Sequence, residues 1–326
     1  MEKFSEFITE AKEEPYRILL LVHDTPDDPN KTGVKIDKQA KQMGIDSYQF
    51  ELEGGYFTTN EKGNKVAHNF NVETGENDEK GFELIPENTM YFVRGAKGTT
   101  AARYATELDL AGIYGVNSRY THRVCDDKWI NYLICKKHNL RQPRTEIITN
   151  EQNIKKPIEL IGNKYPFILK TINGTQGIGV VFIDSEKALK TTLQLLYKLD
   201  EEIGLLIQEY IKTDFDVRVH VLNDEVVASI KRPVIEGDFR SNITQGASPL
   251  KIELTELEKS ECIKATQVVK GKWVGVDFIP AKNREKEPPY FIEINGTPGT
   301  GHVNELNNIN IQKMIIDTFK NRDNWT

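Results

Sequence analysis

Apolar runs and turn residues divide this chain into a regular series of elements. Residues 16–22, with five apolar positions in a row from Ile18, are a continuous buried-strand run, and the His-Asp-Thr-Pro-Asp-Asp-Pro stretch at 23–29 is its exit. Helical spacing follows over 32–43, then a strand over 45–50. From 54 to 88 the chain is polar and turn-rich, with a hairpin expected from 56–59 and 65–68 around Gly63-Asn64. A strand at 91–94 precedes helical patterns over 99–112 and 119–138, the second striped by Trp129, Ile130, Leu133 and Ile134. This strand/helix/strand order from residue 16 to about 117 predicts a small parallel-sheet domain.

The pattern changes after Arg144. Strands are expected at 167–171 and 180–183, then an amphipathic helix over 186–199. Runs at 205–209, 216–221 and 226–231 read as adjacent strands of an antiparallel sheet. A helix over 254–270 and strands at 273–279 and 290–294 complete the series. The fold class is therefore α/β, turning α+β in the C-terminal part. The expected division is a tail at 1–15, an α/β domain at 16–118, a central unit at 119–203 and a C-terminal unit at 204–326. Phe4, Phe7, Ile8 and Ala11 share one helical face in the otherwise charged 1–15 segment.

Composition narrows the function. The 326 residues are 38% hydrophobic and 28% charged, as in soluble globular proteins, and a net charge of −6 argues against a general nucleic-acid binder. Cys125, Cys135 and Cys262 lack metal-ligand spacing, and the first two read as packing residues in a reducing compartment. No apolar run approaches membrane-spanning length, and no signal peptide is evident at the start.

The densest chemical signal is Asn-Gly-Thr-Gln-Gly-Ile-Gly-Val at 173–180, following the strand that carries Lys170. Gly174, Gly177 and Gly179 allow a tight backbone whose N–H groups converge, and Lys170 adds a point charge for phosphate oxygens. Neither a dinucleotide fingerprint nor a Walker loop is present, and such a loop alone is usually a plain hairpin. Downstream, Asp277, Glu293 and Asn295 are an oxygen-only set suited to magnesium; on neighbouring apolar strands, inward carboxylates need a cation. Between them, Gln208, Glu209 and Ile211 end a strand able to present backbone groups to an adenine edge. Asp216, Arg218 and His220 share a strand face. Each is ordinarily a solvated face or strand end, but with Lys231, Arg232 and Arg240 nearby they predict a basic cluster facing phosphates. Their order carries the reading.

With Asp127-Lys128, Gly275-Val-Asp277 and Glu293-Ile-Asn-Gly-Thr-Pro-Gly299 added, these motifs resemble the ATP-grasp ligases, closest to the RimK-like branch that adds glutamate to a carboxyl terminus. The resemblance runs from about Arg94 to about His302. It implies an N-terminal pre-ATP-grasp domain, ATP as co-substrate and magnesium, with manganese as an alternative. Carried over by position, Lys128 and Lys170 hold the nucleotide phosphates, and Gly174, Thr175, Gln176, Gly177 and Gly179 close over them. Gln208, Glu209 and Ile211 hold adenine, and Asp277, Glu293 and Asn295 bind the metal. Arg218, Arg232 and Arg240 hold the carboxylate substrate and its phosphorylated form, supported by Asn242. Partners implied are an amino acid, glutamate first, and a peptide or protein C-terminus, with no nucleic acid and no membrane; homo-oligomers are common in the branch. Gly296-Thr297 and Lys231-Arg232-Pro233 depart from its usual pattern and bear on acceptor specificity. An ATP-grasp kinase, a small-molecule acid ligase and a non-catalytic capsid-associated protein are the alternatives. Residues 1–11 are also similar to capsid-targeting leaders of T-even-type bacteriophages, which implies cleavage after Glu10 and a place in host cytoplasm and virion head.

Overall fold

The structure, a computed structural model, describes residues 16–22, 31–71, 74–94, 99–173, 179–234 and 248–325. The 1–15 segment, Gly174, Thr175, Gln176, Gly177, Arg240 and Asn242 lie outside the described residues, as do residues 23–30 and 235–247.

The first unit contains β1 (Arg17–Val22), α1 (Thr32–Gln42), β2 (Asp46–Glu51), a hairpin-based insertion of β3 (Tyr56–Thr59), β4 (Lys65–His68) and β5 (Phe82–Leu84), then β6 (Thr89–Arg94), α2 (Thr99–Leu110) and β7 (Tyr114–Gly115). Its sheet is parallel, in the order β2-β1-β6-β7. The unbroken apolar run of β1 has a double purpose. Leu19 and Leu21 pack with Ala101, Ala105 and Leu108 of α2. Ile18, Leu20 and Val22 pack on the other face with Ile36 and Ala40 of α1. The expected hairpin around Gly63 is present, and β5 extends it to three antiparallel strands.

The next stretch holds α3 (Arg119–Asp126), α4 (Lys128–Lys137), β8 (Thr145–Ile148), α5 (Lys155–Leu160), β9 (Phe167–Thr171), β10 (Val180–Ile183), α6 (Glu186–Leu199) and β11 (Leu205–Glu209). The single helix expected over 119–138 is two, because Asp127 leaves helical geometry and caps the second with bonds from the Trp129 and Ile130 N–H groups at 2.9 and 2.8 Å. The sheet order is β10-β9-β11-β8. Leu205–Glu209 therefore does not join the strands that follow it, as its sequence position suggested. It sits between β9 and β8, burying Leu205 and Ile207 with Leu169, Leu189 and Leu193.

The remainder comprises β12 (Phe215–Leu222), β13 (Glu225–Pro233), β14 (Leu250–Lys251), α7 (Glu256–Val268), β15 (Trp273–Ile279), β16 (Tyr290–Asn295), α8 (Val303–Asn307) and α9 (Ile311–Lys320). Five antiparallel strands run in the order β14-β13-β12-β15-β16. α9 returns to the first unit. Its Ile311, Ile315, Ile316 and Phe319 are fully buried in one core with Ile18 and Leu20 of β1 and Trp273 of β15. Among the described residues no helix is long and apolar enough to cross a membrane.

Candidate nucleotide and metal site

Lys128, Thr145, Lys170, Gln208 and Glu293 line one small cleft, with the Tyr132 ring at its wall. They come from α4, β8, β9, β11 and β16, so Lys128, Lys170 and Glu293, distant in sequence, converge. The Asp127 cap places Lys128 at the first position of α4, and its Nζ reaches the Ile172 carbonyl at 3.4 Å. Lys170 is 7% exposed, and its Nζ donates to Gln208 Oε1 at 3.1 Å. Gln208 Nε2 in turn donates to Thr145 Oγ1 at 2.7 Å. Among the described residues no carboxylate pairs with Lys170. Burial pushes its ammonium down to about 8; the charge of Glu293 opposes this and that of Lys128 reinforces it. A buried cation held by a neutral amide is arranged for an anion that arrives from outside.

Of the motif's three glycines, Gly179 is among the described residues. Its φ of +79° favours glycine, and a Cβ there would stand 2.7 Å from Thr171 Oγ1. Its carbonyl accepts from the Thr171 N–H at 3.1 Å, closing the base of the loop between β9 and β10. Gln208 faces the cleft with its side chain, beyond the backbone role expected of it. Glu209 is held in a bidentate pair by Arg144 at 2.9 and 3.0 Å, which keeps its carboxyl below the usual range. Ile211 lies half-buried just past β11.

Register brings the acidic groups together. Asp277 and Glu293 are direct partners across β15 and β16, and Gly275 lies opposite Asn295. Asp277, 4% exposed, accepts from Arg218 Nε and Nη2 at 2.7 and 2.6 Å and pairs with Arg232 at 3.0 Å. Arg232 also forks onto Asp216 at 2.6 and 2.8 Å. Burial alone would raise the Asp277 carboxyl, but Arg218 and Arg232 outweigh it and take it down to about 2. Of the expected basic cluster, Arg218 and Arg232 are ion-paired with these carboxylates, and Lys231, on the opposite strand face, covers the Phe215 ring at 4.1 Å.

Glu293 has no ion-pair partner among the described residues. Asn295 accepts through Oδ1 from the Thr297 N–H at 2.8 Å. Two carboxylates and an amide oxygen, one carboxylate unpaired, fit a hard divalent cation such as magnesium. The described residues contain no cluster of three His, Cys, Asp or Glu groups that would form a complete protein cage. Magnesium, which keeps several oxygens from water and phosphate, does not require one.

Two residues escaped the sequence reading. Asp126 ends α3 within range of Glu293; burial and then that charge raise its carboxyl to about 6, with Lys128 opposing. Asn117, fully buried, donates to the Trp273 and Gly296 carbonyls at 2.7 and 2.8 Å and accepts from the Lys272 and Trp273 N–H groups at 2.6 and 3.0 Å. It fastens the chain after β7 to the start of β15 and to the turn after Asn295. A lone Asn-Ser after Gly115-Val116 gave no signal of this.

Solved structures share the fold. A Chryseobacterium gregarium RiPP-associated ATP-grasp ligase in complex with ADP and a leader and core peptide aligns with a TM-score of 0.68 at 17% identity, over 94% of this chain and 97% of that one. The ATP-grasp ligase PsnB, complexed with a phosphomimetic variant of minimal precursor, Mg and ADP, aligns with a TM-score of 0.63 at 16% identity, over 95% and 98%. The architecture is that of an ATP-grasp enzyme. The chain belongs to the RimK-like ATP-grasp family, whose domain matches residues 125–319, and as a member it is an ATP-dependent ligase. A probable alpha-L-glutamate ligase 1 of Pseudoalteromonas atlantica is 30% identical over 227 residues, 69% of this chain and 72% of the relative.

Proposed function

We propose that this protein joins an amino acid, glutamate first, to the C-terminal carboxylate of a peptide or protein through an acylphosphate. The observation that carries the reading is the buried Lys170, which no carboxylate of the described residues pairs, lining one cleft with Lys128 and Glu293. In the first step a carboxylate oxygen of the acceptor attacks the γ-phosphorus of ATP and the bond to the β-phosphate oxygen breaks, giving acylphosphate and ADP. Lys128 and Lys170 hold the phosphates and offset their charge. In the second step the amine nitrogen attacks the acyl carbon, loses a proton and expels phosphate. Arg240 serves the oxyanion, with Asn242 supporting it. Bound magnesium, held by Asp277, Glu293 and Asn295, would supply charge neutralisation at the phosphates.

The mainly electrostatic character of this chemistry fits a site lined by lysines and a carboxylate. The buried cysteines are driven away from thiolate by burial first. Peptide and ADP in the structurally similar ligase support the acceptor class, and the name of the 30% identical relative supports glutamate. The test is incubation with ATP, glutamate and a peptide library, read by mass spectrometry. One glutamyl residue added per ADP formed is the expected result. A stable phosphate ester without an amide would make the protein a kinase, and absence of nucleotide binding would end the ligase reading. As part of the same proposal, protein recovered from phage particles begins after Glu10, and the enzyme assembles with itself in solution.

A further inference from the structure

Arg94 ends β6 at the carboxyl edge of the parallel sheet, the edge where open α/β sheets receive ligands. It is 5% exposed. Its Nη2 donates to the Pro298 carbonyl at 2.6 Å, its guanidinium carbon stands 4.6 Å from the Trp273 ring centroid, and its Nε has no hydrogen-bond partner. No carboxylate pairs with it among the described residues. In the adjoining sheet Asp277 is engaged by Arg218 and Arg232, and Asp216 by Arg232.

Its neighbours are neutral and short of partners. Both ring nitrogens of His220, Nε2 of His122 and Nε1 of Trp273 are buried and unbonded. Burial, with Arg94 adding, pushes His122 down to about 4, and burial with the nearby arginines pushes His220 to about 3. Arg94 itself is lowered by burial to about 9, so it remains charged at neutral pH. The first turn of α1 packs against its stem: a Cβ on Gly33 would lie 3.4 Å from Arg94 Cβ. That helix begins with no side-chain cap and no acidic residue in its first turn. A buried guanidinium that no carboxylate of the described residues pairs, set among unsatisfied polar groups, is a costly arrangement that one anion relieves.

Resting on the ligase reading, we propose that Arg94 anchors a substrate carboxylate that does not react, the α-carboxylate of the amino acid supplying the amine. The phosphates take Lys128 and Lys170. The carboxylate to be phosphorylated must lie beside Asp277 and Glu293. The remaining anion of the reaction is this α-carboxylate, and Arg94 reaches the same centre through Pro298, in the turn that follows Asn295. A permanently charged planar fork suits a carboxylate that must be held without giving up or taking a proton.

The experiment compares wild type with Arg94→Met and Arg94→Lys, using glutamate and its α-amide isoglutamine. Wild type should favour glutamate by roughly 100-fold in kcat/KM, as expected where a site is built around a charged group. In Arg94→Met the KM for glutamate should rise by about that factor, the KM for ATP should stay within about threefold, and the preference should vanish. Arg94→Lys should restore part of it. A merely structural role predicts instead that both amino acids and ATP suffer alike and the preference survives, which would overturn the proposal. Should wild type form no amide at all, the ligase reading fails separately. Calorimetric titration of glutamate and isoglutamine into both proteins, folded by circular dichroism and loaded with ADP and magnesium, then decides. Glutamate binding lost in Arg94→Met supports the anchor; equal binding by both proteins, or none, overturns it.

Discussion

Replacing Lys170 with methionine should make the protein more stable and nearly inactive. Lys170 is 7% exposed, and burial takes its ammonium from the usual 10.5 to about 8. That difference corresponds to about 3 kcal/mol by which the folded state disfavours the charged form. Methionine matches its length and removes this penalty. Against it stands the bond to Gln208 Oε1 at 3.1 Å, whose loss leaves one oxygen short of a donor at a cost of about 1–2 kcal/mol. Gln208 keeps its bond to Thr145. The net gain expected at neutral pH is about 1–2 kcal/mol. The sign follows from the direction of the shift. Because the folded value lies below the unfolded one, the wild-type penalty is full below about pH 8 and disappears as the pH rises toward about 10. The advantage of the variant should shrink across that window and then reverse, leaving only the lost bond. Urea unfolding of both proteins from neutral to alkaline pH measures it. Parallel nucleotide titrations should show affinity for ATP reduced by roughly 100-fold. A variant less stable than wild type by more than about 1 kcal/mol at neutral pH would refute the idea that Lys170 is held there for an incoming anion.

Three further outcomes are expected. Asp277→Asn should lose about 2 kcal/mol at neutral pH, since a depressed carboxyl stabilises above its unfolded value near 4 and loses that effect as pH falls toward about 2; the gap between the two proteins in urea unfolding should narrow under acid, and magnesium-dependent turnover should fall by at least roughly 100-fold. Asn117→Ala should cost about 3 kcal/mol or more in the same assay, because four buried backbone groups lose their partner together. Gly179→Ala should cost about 1–2 kcal/mol from left-handed backbone strain and contact with Thr171, and it should weaken ATP binding more than it weakens folding; unchanged nucleotide affinity would dissociate this glycine from the loop's function.

Local pattern made some of this legible. The double-faced β1 and the strands flanking the glycine motif could be read because period and punctuation are local properties. Strand neighbourhood is not local. Nothing in Leu205–Glu209 says that it will lie between β9 and β8, although that placement sets Gln208 beside Lys170. The same limit hid the arginine network. Asp216 faces Arg232 and Arg218 faces Asp277 through cross-strand register, a pairing that spacing along one strand does not encode. α9 is absent from the expected elements, although Ile311, Ile315 and Phe319 follow the Asn310 cap at helical spacing, and its packing on the first unit, against α1, depends on tertiary structure. Asn117 and Arg94 gain their importance from buried surroundings that composition and spacing do not encode.

Oxygen transfer tests the central claim most directly. A peptide acceptor carrying oxygen-18 in its C-terminal carboxylate would be incubated with enzyme, ATP, magnesium and glutamate, and the released phosphate examined by mass spectrometry. An acylphosphate formed in the Lys128–Lys170–Glu293 cleft must carry one acceptor oxygen into that phosphate, so labelled phosphate should appear in step with ADP. ADP formed with unlabelled phosphate would contradict the account, because the γ-phosphoryl would then have passed to water instead of to the substrate carboxylate.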